Sequence, residues 1–190
     1  MKITAGLIFL GFFTACLGIL GQIIRGHTLS YQLLAIGFVL LAIDQARMAV
    51  IDLDQIALVR NQVGVQVGDQ QLLKLYYLTL FTIILELIGF YLAWWRLGWG
   101  IEIVLVSQVI FNALAAIQLQ PSLEPPIAAR SWQTRSPILV GNVLAMVLVG
   151  LWMREIAPMT ITLAAWGIAI AYIMGKFVLR IGNKDSMTSI

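Results

Sequence analysis

Residues 72–117 read LLKLYYLTLFTIILELIGFYLAWWRLGWGIEIVLVSQVIFNALAAI, two long apolar runs joined by a Trp/Gly/Arg turn. One acid, Glu86, lies inside the first run. The runs are continuously apolar, with none of the alternation of a half-buried strand or of the roughly 10-residue segments in an outer-membrane barrel. As a helix, residues 72–95 would extend about 36 Å, against about 30 Å of bilayer hydrocarbon. The stretch predicts a helical hairpin that crosses a membrane twice.

Composition carries that reading to the whole chain. Of its 190 residues, 61% are hydrophobic and 11% charged. Soluble domains carry about 25% charged residues, so this chain has too few to cover a globular surface. Residues 3–24 form a first apolar run between Lys2 and Arg25. It is longer than the core of a cleaved signal peptide, about 7–15 residues. Further runs cover residues 29–51, 72–95, 100–117, 138–153 and 158–177. The expected fold is all-α: a polytopic integral membrane protein with six transmembrane helices in three hairpins. These turn at Arg25, Arg96 and Arg154. A single domain covers residues 1–183, followed by a polar tail at 184–190.

The segments between the runs differ in kind. Asp52, Asp54, Gln55 and Arg60 interleave with Ile51 and Ile56, which predicts that the second helix continues past the hydrocarbon as an amphipathic extension. Residues 61–69 are turn-rich and read as a short hairpin. Residues 118–136 carry three prolines and read as a surface loop. Ser136-Pro137 predicts the next helix start, an N-cap followed by proline at the first helical position.

Charge placement sets the expected orientation. Lys2, Arg47, Arg60, Lys74, Arg130, Arg135, Lys176, Arg180 and Lys184 fall on the side of the termini, and only Arg25, Arg96 and Arg154 on the other. Basic residues concentrate on the cytoplasmic side, so both termini are expected in the cytoplasm. Tyr91, Trp94, Trp95, Trp99 and Trp152 then fall at the outer boundary, where amphipathic rings anchor. A bacterial plasma membrane is the default setting, and an internal energy-transducing membrane fits the same pattern.

Few residues offer chemistry. Glu86 is the sharpest candidate, because a charge near mid-membrane costs about 2.5–3.5 kcal/mol or more on insertion scales. It should therefore face other helices, as glue between them or as a coupling residue or counter-ion. Gln108 and Asn112 share a face at i,i+4, and with Asn142 they are its candidate partners. Asp44 with Arg47, and Glu102 with Arg96 or Arg154, read as interfacial ion pairs. Gly167, Ala171 and Gly175 form a small-residue ladder that permits close helix approach.

Other classes lack their residues. His27 and Cys16 are the only histidine and cysteine, short of what a zinc site needs, so no metal ligand set is assigned. The acids at 52 and 54 make too short a match for a divalent-ion site. No nucleophile elbow, zinc-protease helix or phosphate-binding glycine loop occurs. The expectation is therefore no enzyme and no cofactor. There is no basic stripe to track nucleic acid. The first functional expectation is a subunit, assembly or scaffold factor that contacts a membrane-protein partner or a second copy within the lipid bilayer. The alternative is a small oligomeric transporter or channel built on Glu86.

Overall fold

The computed structural model describes residues 2–25, 27–63, 69–119 and 126–170. Six helices account for most of them: α1 (Lys2–Ile24), α2 (Leu29–Val63), α3 (Asp69–Leu92), α4 (Leu97–Leu114), α5 (Trp132–Met153) and α6 (Pro158–Ile170). Among the described residues, five helices are long and apolar enough to cross a membrane, and α6 is apolar but shorter. The backbone reason is simple. In hydrocarbon each N–H and C=O must be paired within its own segment, and a helix does that.

Short links at residues 25–28, 93–96 and 154–157 join α1 to α2, α3 to α4 and α5 to α6. Three boundaries differ from the sequence expectation. The α3–α4 link falls about three residues early, so Trp94 and Trp95 sit in the turn rather than in a helix. Gly98, which the expected run 100–117 leaves in the turn, lies inside α4. Helix α5 starts at Trp132, with Pro137 inside it. Pro137 is exposed, so water can satisfy the one carbonyl it leaves without a donor.

The 118–136 segment is not simply a loop. Strand β1 (Ile117–Leu119) pairs antiparallel with β2 (Ile127–Ala129), with Gln118 opposite Ala128. The described residues are therefore helical with one three-residue ladder. The expected hairpin at residues 61–69 fares differently: positions 61–63 continue α2, and 64–68 lie outside the described residues. The last turns of the sixth run and the polar tail at 184–190 also lie outside them.

Two clusters form the interior. The larger joins Phe12, Ala15 and Ile19 of α1 to Ala35, Phe38, Ala42, Ala46 and Ala49 of α2, and to Ile83 and Phe90 of α3 and Ile101 and Val104 of α4. The alanines of α2 recur on one helical face, which lets neighbouring backbones come close. Phe90 sits between Phe12 (5.4 Å between ring centroids) and Phe38 (4.5 Å). The smaller cluster gathers Ile56 and Val59 from the far end of α2 with Leu72 and Leu75 of α3 and Ala115, and β1 and β2 lie against it. At 35 residues α2 is about 52 Å long, well beyond the hydrocarbon thickness. Its last turns carry that cluster.

The outside is apolar. Leu7, Phe9, Leu10, Phe13 and Leu17 of α1 are all more than half exposed, as are Val140, Leu144 and Val147 of α5. In water, patches this size would drive association. Against lipid tails they are the ordinary outer face of a bundle.

Candidate functional site

Glu86 points inward from α3 and is 2% exposed. Gln108 of α4 meets it there. The Gln108 amide Nε2 donates to Oε1 of Glu86, and also to Oε1 of Gln45 on α2 at 2.9 Å. Its two N–H groups are thereby both used. Asn112 donates from Nδ2 to the Gln108 backbone carbonyl at 2.8 Å, which braces the helix turn carrying the amide. Three helices are thus tied through one side chain.

Depth follows from helix geometry. Glu86 lies about 9 Å along α3 from Leu92, and Gln108 about 16 Å along α4 from Leu97. Both side chains therefore leave from about 9 Å or more inside the ends of their helices. Asn142 of α5 is about 16 Å from Met153, the same level as Gln108 counted from the neighbouring helix end. Its Nδ2 is buried and has no hydrogen-bond partner.

Asp44 and Arg47 do meet: Arg47 donates from Nη2 to Asp44 Oδ1 at 3.0 Å, on a half-exposed face of α2. Glu102 makes no ion pair with Arg96 or Arg154 among the described residues. Arg96 sits in the link before α4 with non-helical backbone (φ −140°, ψ 83°), and Glu102 lies inside the helix beyond it. Of the small-residue ladder, Gly167 is exposed, with nothing within 4 Å of a Cβ built on it. Ala171 and Gly175 lie outside the described residues.

Several structural contacts carry no sequence signal of their own. Gln45 reads as part of a polar helix end, yet it completes the Glu86 contact. Trp94 donates from Nε1 to the carbonyl of Ala15 at 2.9 Å and rests on Gly18. Trp166 repeats the device on α2, donating to the carbonyl of Leu33 at 3.2 Å beside Gly37. Arg135 donates to the carbonyls of Ala113 and Ala115 at 3.3 and 3.4 Å and to that of Arg130 at 3.1 Å. It closes the C-terminal end of α4, where the helix dipole favours a cation. Among the described residues no group of three His, Cys, Asp or Glu side chains gathers to hold a metal.

An apolar shell around packed long helices, with a sequestered polar contact between three of them, defines a helical bundle of membrane-protein type. The chain matches no family model, no curated protein and no solved structure.

Proposed function

We propose that this is a non-enzymatic multi-pass membrane protein, acting as a subunit, assembly or scaffold factor through its helix faces and cytoplasmic loops. One observation carries the reading. Only 6% of the spanning window of α5 is buried, against 44% of α4. Gly141 and Gly150 on that helix have nothing within 4 Å of a built Cβ. Small residues with open flanks let a second helix approach closely, and in lipid such approach drives association.

The proposal includes six spans in three hairpins, with both termini in the cytoplasm of a bacterial cell. Short links at residues 25–28, 93–96 and 154–157 support it, because they leave the α2 extension and the β1–β2 ladder together at the opposite end. Recognition of soluble partners belongs at that end. Cysteine labelling from either side of the membrane tests the arrangement, and termini on opposite sides would overturn it.

A second reading has its own support. The layer of Gln45, Glu86, Gln108 and Asn142 supplies polar groups at hydrocarbon depth, as a small oligomeric transporter or channel requires. The experiment that separates the two is purification in mild detergent with two variants. A scaffold keeps its complex in Glu86→Gln and loses it in Gly150→Leu. A transporter assembles in both and loses flux in Glu86→Gln.

A further inference from the structure

A cleft of about 310 Å³ opens between the end of α1 and the α3–α4 turn, lined by Leu17, Gly18, Gly21, Gln22, Arg25, Trp94 and Trp95. Its chemistry is graded along the membrane normal. Arg25 and Gln22 stand at the rim, and Leu17 and Gly18 form an apolar floor about 12 Å deeper along α1. Trp95 flanks the mouth and is 80% exposed.

We infer that this cleft holds an anionic phospholipid, with its phosphate on Arg25 and the start of an acyl chain over Leu17 and Gly21. Charge complementarity names the occupant. Arg25 has no ion-pair partner among the described residues, and no acid lines the cleft. A guanidinium offers a planar fork of donors that matches a phosphate. The neighbouring amide can add to it: Gln22 Oε1 is engaged by His27 Nε2 at 3.4 Å, which leaves the Gln22 N–H groups free to donate. Space is available as well, because nothing lies within 4 Å of a Cβ built on Gly21. The grading from cation to apolar floor fits one amphiphile lying across the headgroup boundary, where the indoles of Trp94 and Trp95 also settle. The inference rests on the chain spanning a bilayer, and is independent of the scaffold reading.

The test uses the full chain in nanodiscs of phosphatidylcholine, with or without one third phosphatidylglycerol, and native mass spectrometry to count retained lipid. The expected result is selective retention of phosphatidylglycerol, weakened about fivefold in Arg25→Gln, the size of one cation's attraction to an anionic lipid. Gly21→Leu, which fills the cleft and keeps the charge, should reduce retention equally. Arg154→Gln, at another link, should leave it unchanged. Equal retention of both lipids, unaltered retention in Arg25→Gln and Gly21→Leu, or displacement by millimolar inorganic phosphate would each overturn the assignment. The last would mark a site for a soluble anion.

Discussion

The indole of Trp94 occupies the space that a side chain at position 18 would need, so the α3–α4 turn can rest on α1 there only because residue 18 is glycine. The ring also donates to the carbonyl of Ala15, one helical turn earlier. Shape and hydrogen bond are thereby fixed by the same residue. Gly18→Ala is expected to destabilise the bundle by about 1–3 kcal/mol, the usual cost of overpacking. Gly21→Ala, with an open flank, should be neutral or slightly stabilising, since alanine favours helix. Trp94→Phe keeps a ring and loses the donor, at about 1 kcal/mol. Thermal unfolding in detergent checks all three, and Gly18→Ala melting like wild type would refute the contact.

Helices α3 and α4 meet at a pair of glycines. A Cβ on Gly89 would lie 2.8 Å from the carbonyl oxygen of Gly100, and one on Gly100 would lie 2.5 Å from that of Gly89. Backbone cannot rotate away as a side chain can. Gly89→Ala and Gly100→Ala should therefore each cost about 2–3 kcal/mol, near the upper end for overpacking. Gly150→Ala is the control, because its flank is open. A cysteine pair placed across the α3–α4 contact should cross-link less readily in the alanine variants.

The α5–α6 link stores strain in two residues. Glu155 has φ 60° and Ala157 φ 42°, both in the left-handed region, which costs an L-residue about 1–2 kcal/mol. Glycine removes that cost but gains freedom in the unfolded chain, about 0.4–1 kcal/mol the other way. The net expectation for Ala157→Gly is a stabilisation of between about 0 and 1.6 kcal/mol, seen as a small rise in Tm. Ala157→Val, β-branched, should lower it clearly.

Apolar length made the helices legible, because a run such as residues 72–95 reports the solvent of the segment directly. It did not report where hydrogen bonding stops. Trp94 and Trp95 are as apolar as the helix before them, so the end of α3 at Leu92 carried no compositional mark. Gly98 misled for the opposite reason: glycine signals a turn in water and a close helix approach in lipid. The β1–β2 ladder is too short for alternation to emerge. The candidate site divides the same way. Glu86 was visible because a lone acid in an apolar run is costly anywhere, and Gln108 and Asn112 because they share a face. Gln45 was hidden among the charged neighbours Asp44 and Arg47, whose side chains point outward while its own points in. One helical step decides that difference, and no residue type announces it.

Glu86 and Gln108 should behave as a unit in mutagenesis. Glu86→Gln preserves shape and an acceptor for the Gln108 amide, so it should change stability by less than about 1 kcal/mol. Glu86→Leu removes one acceptor but leaves Gln108 its bond to Gln45, at about 1 kcal/mol. Gln108→Leu is worse. It strands a buried carboxyl group and the Gln45 carbonyl without their common donor, and an orphaned buried polar group costs about 1–3 kcal/mol. The double variant Glu86→Leu/Gln108→Leu should then recover part of that loss, since two apolar side chains meeting in hydrocarbon leave only Gln45 unsatisfied. Unfolding measurements on the four-member cycle read the coupling directly. A positive coupling of about 1 kcal/mol is expected, and strict additivity would show that the two side chains do not hold α3 and α4 together.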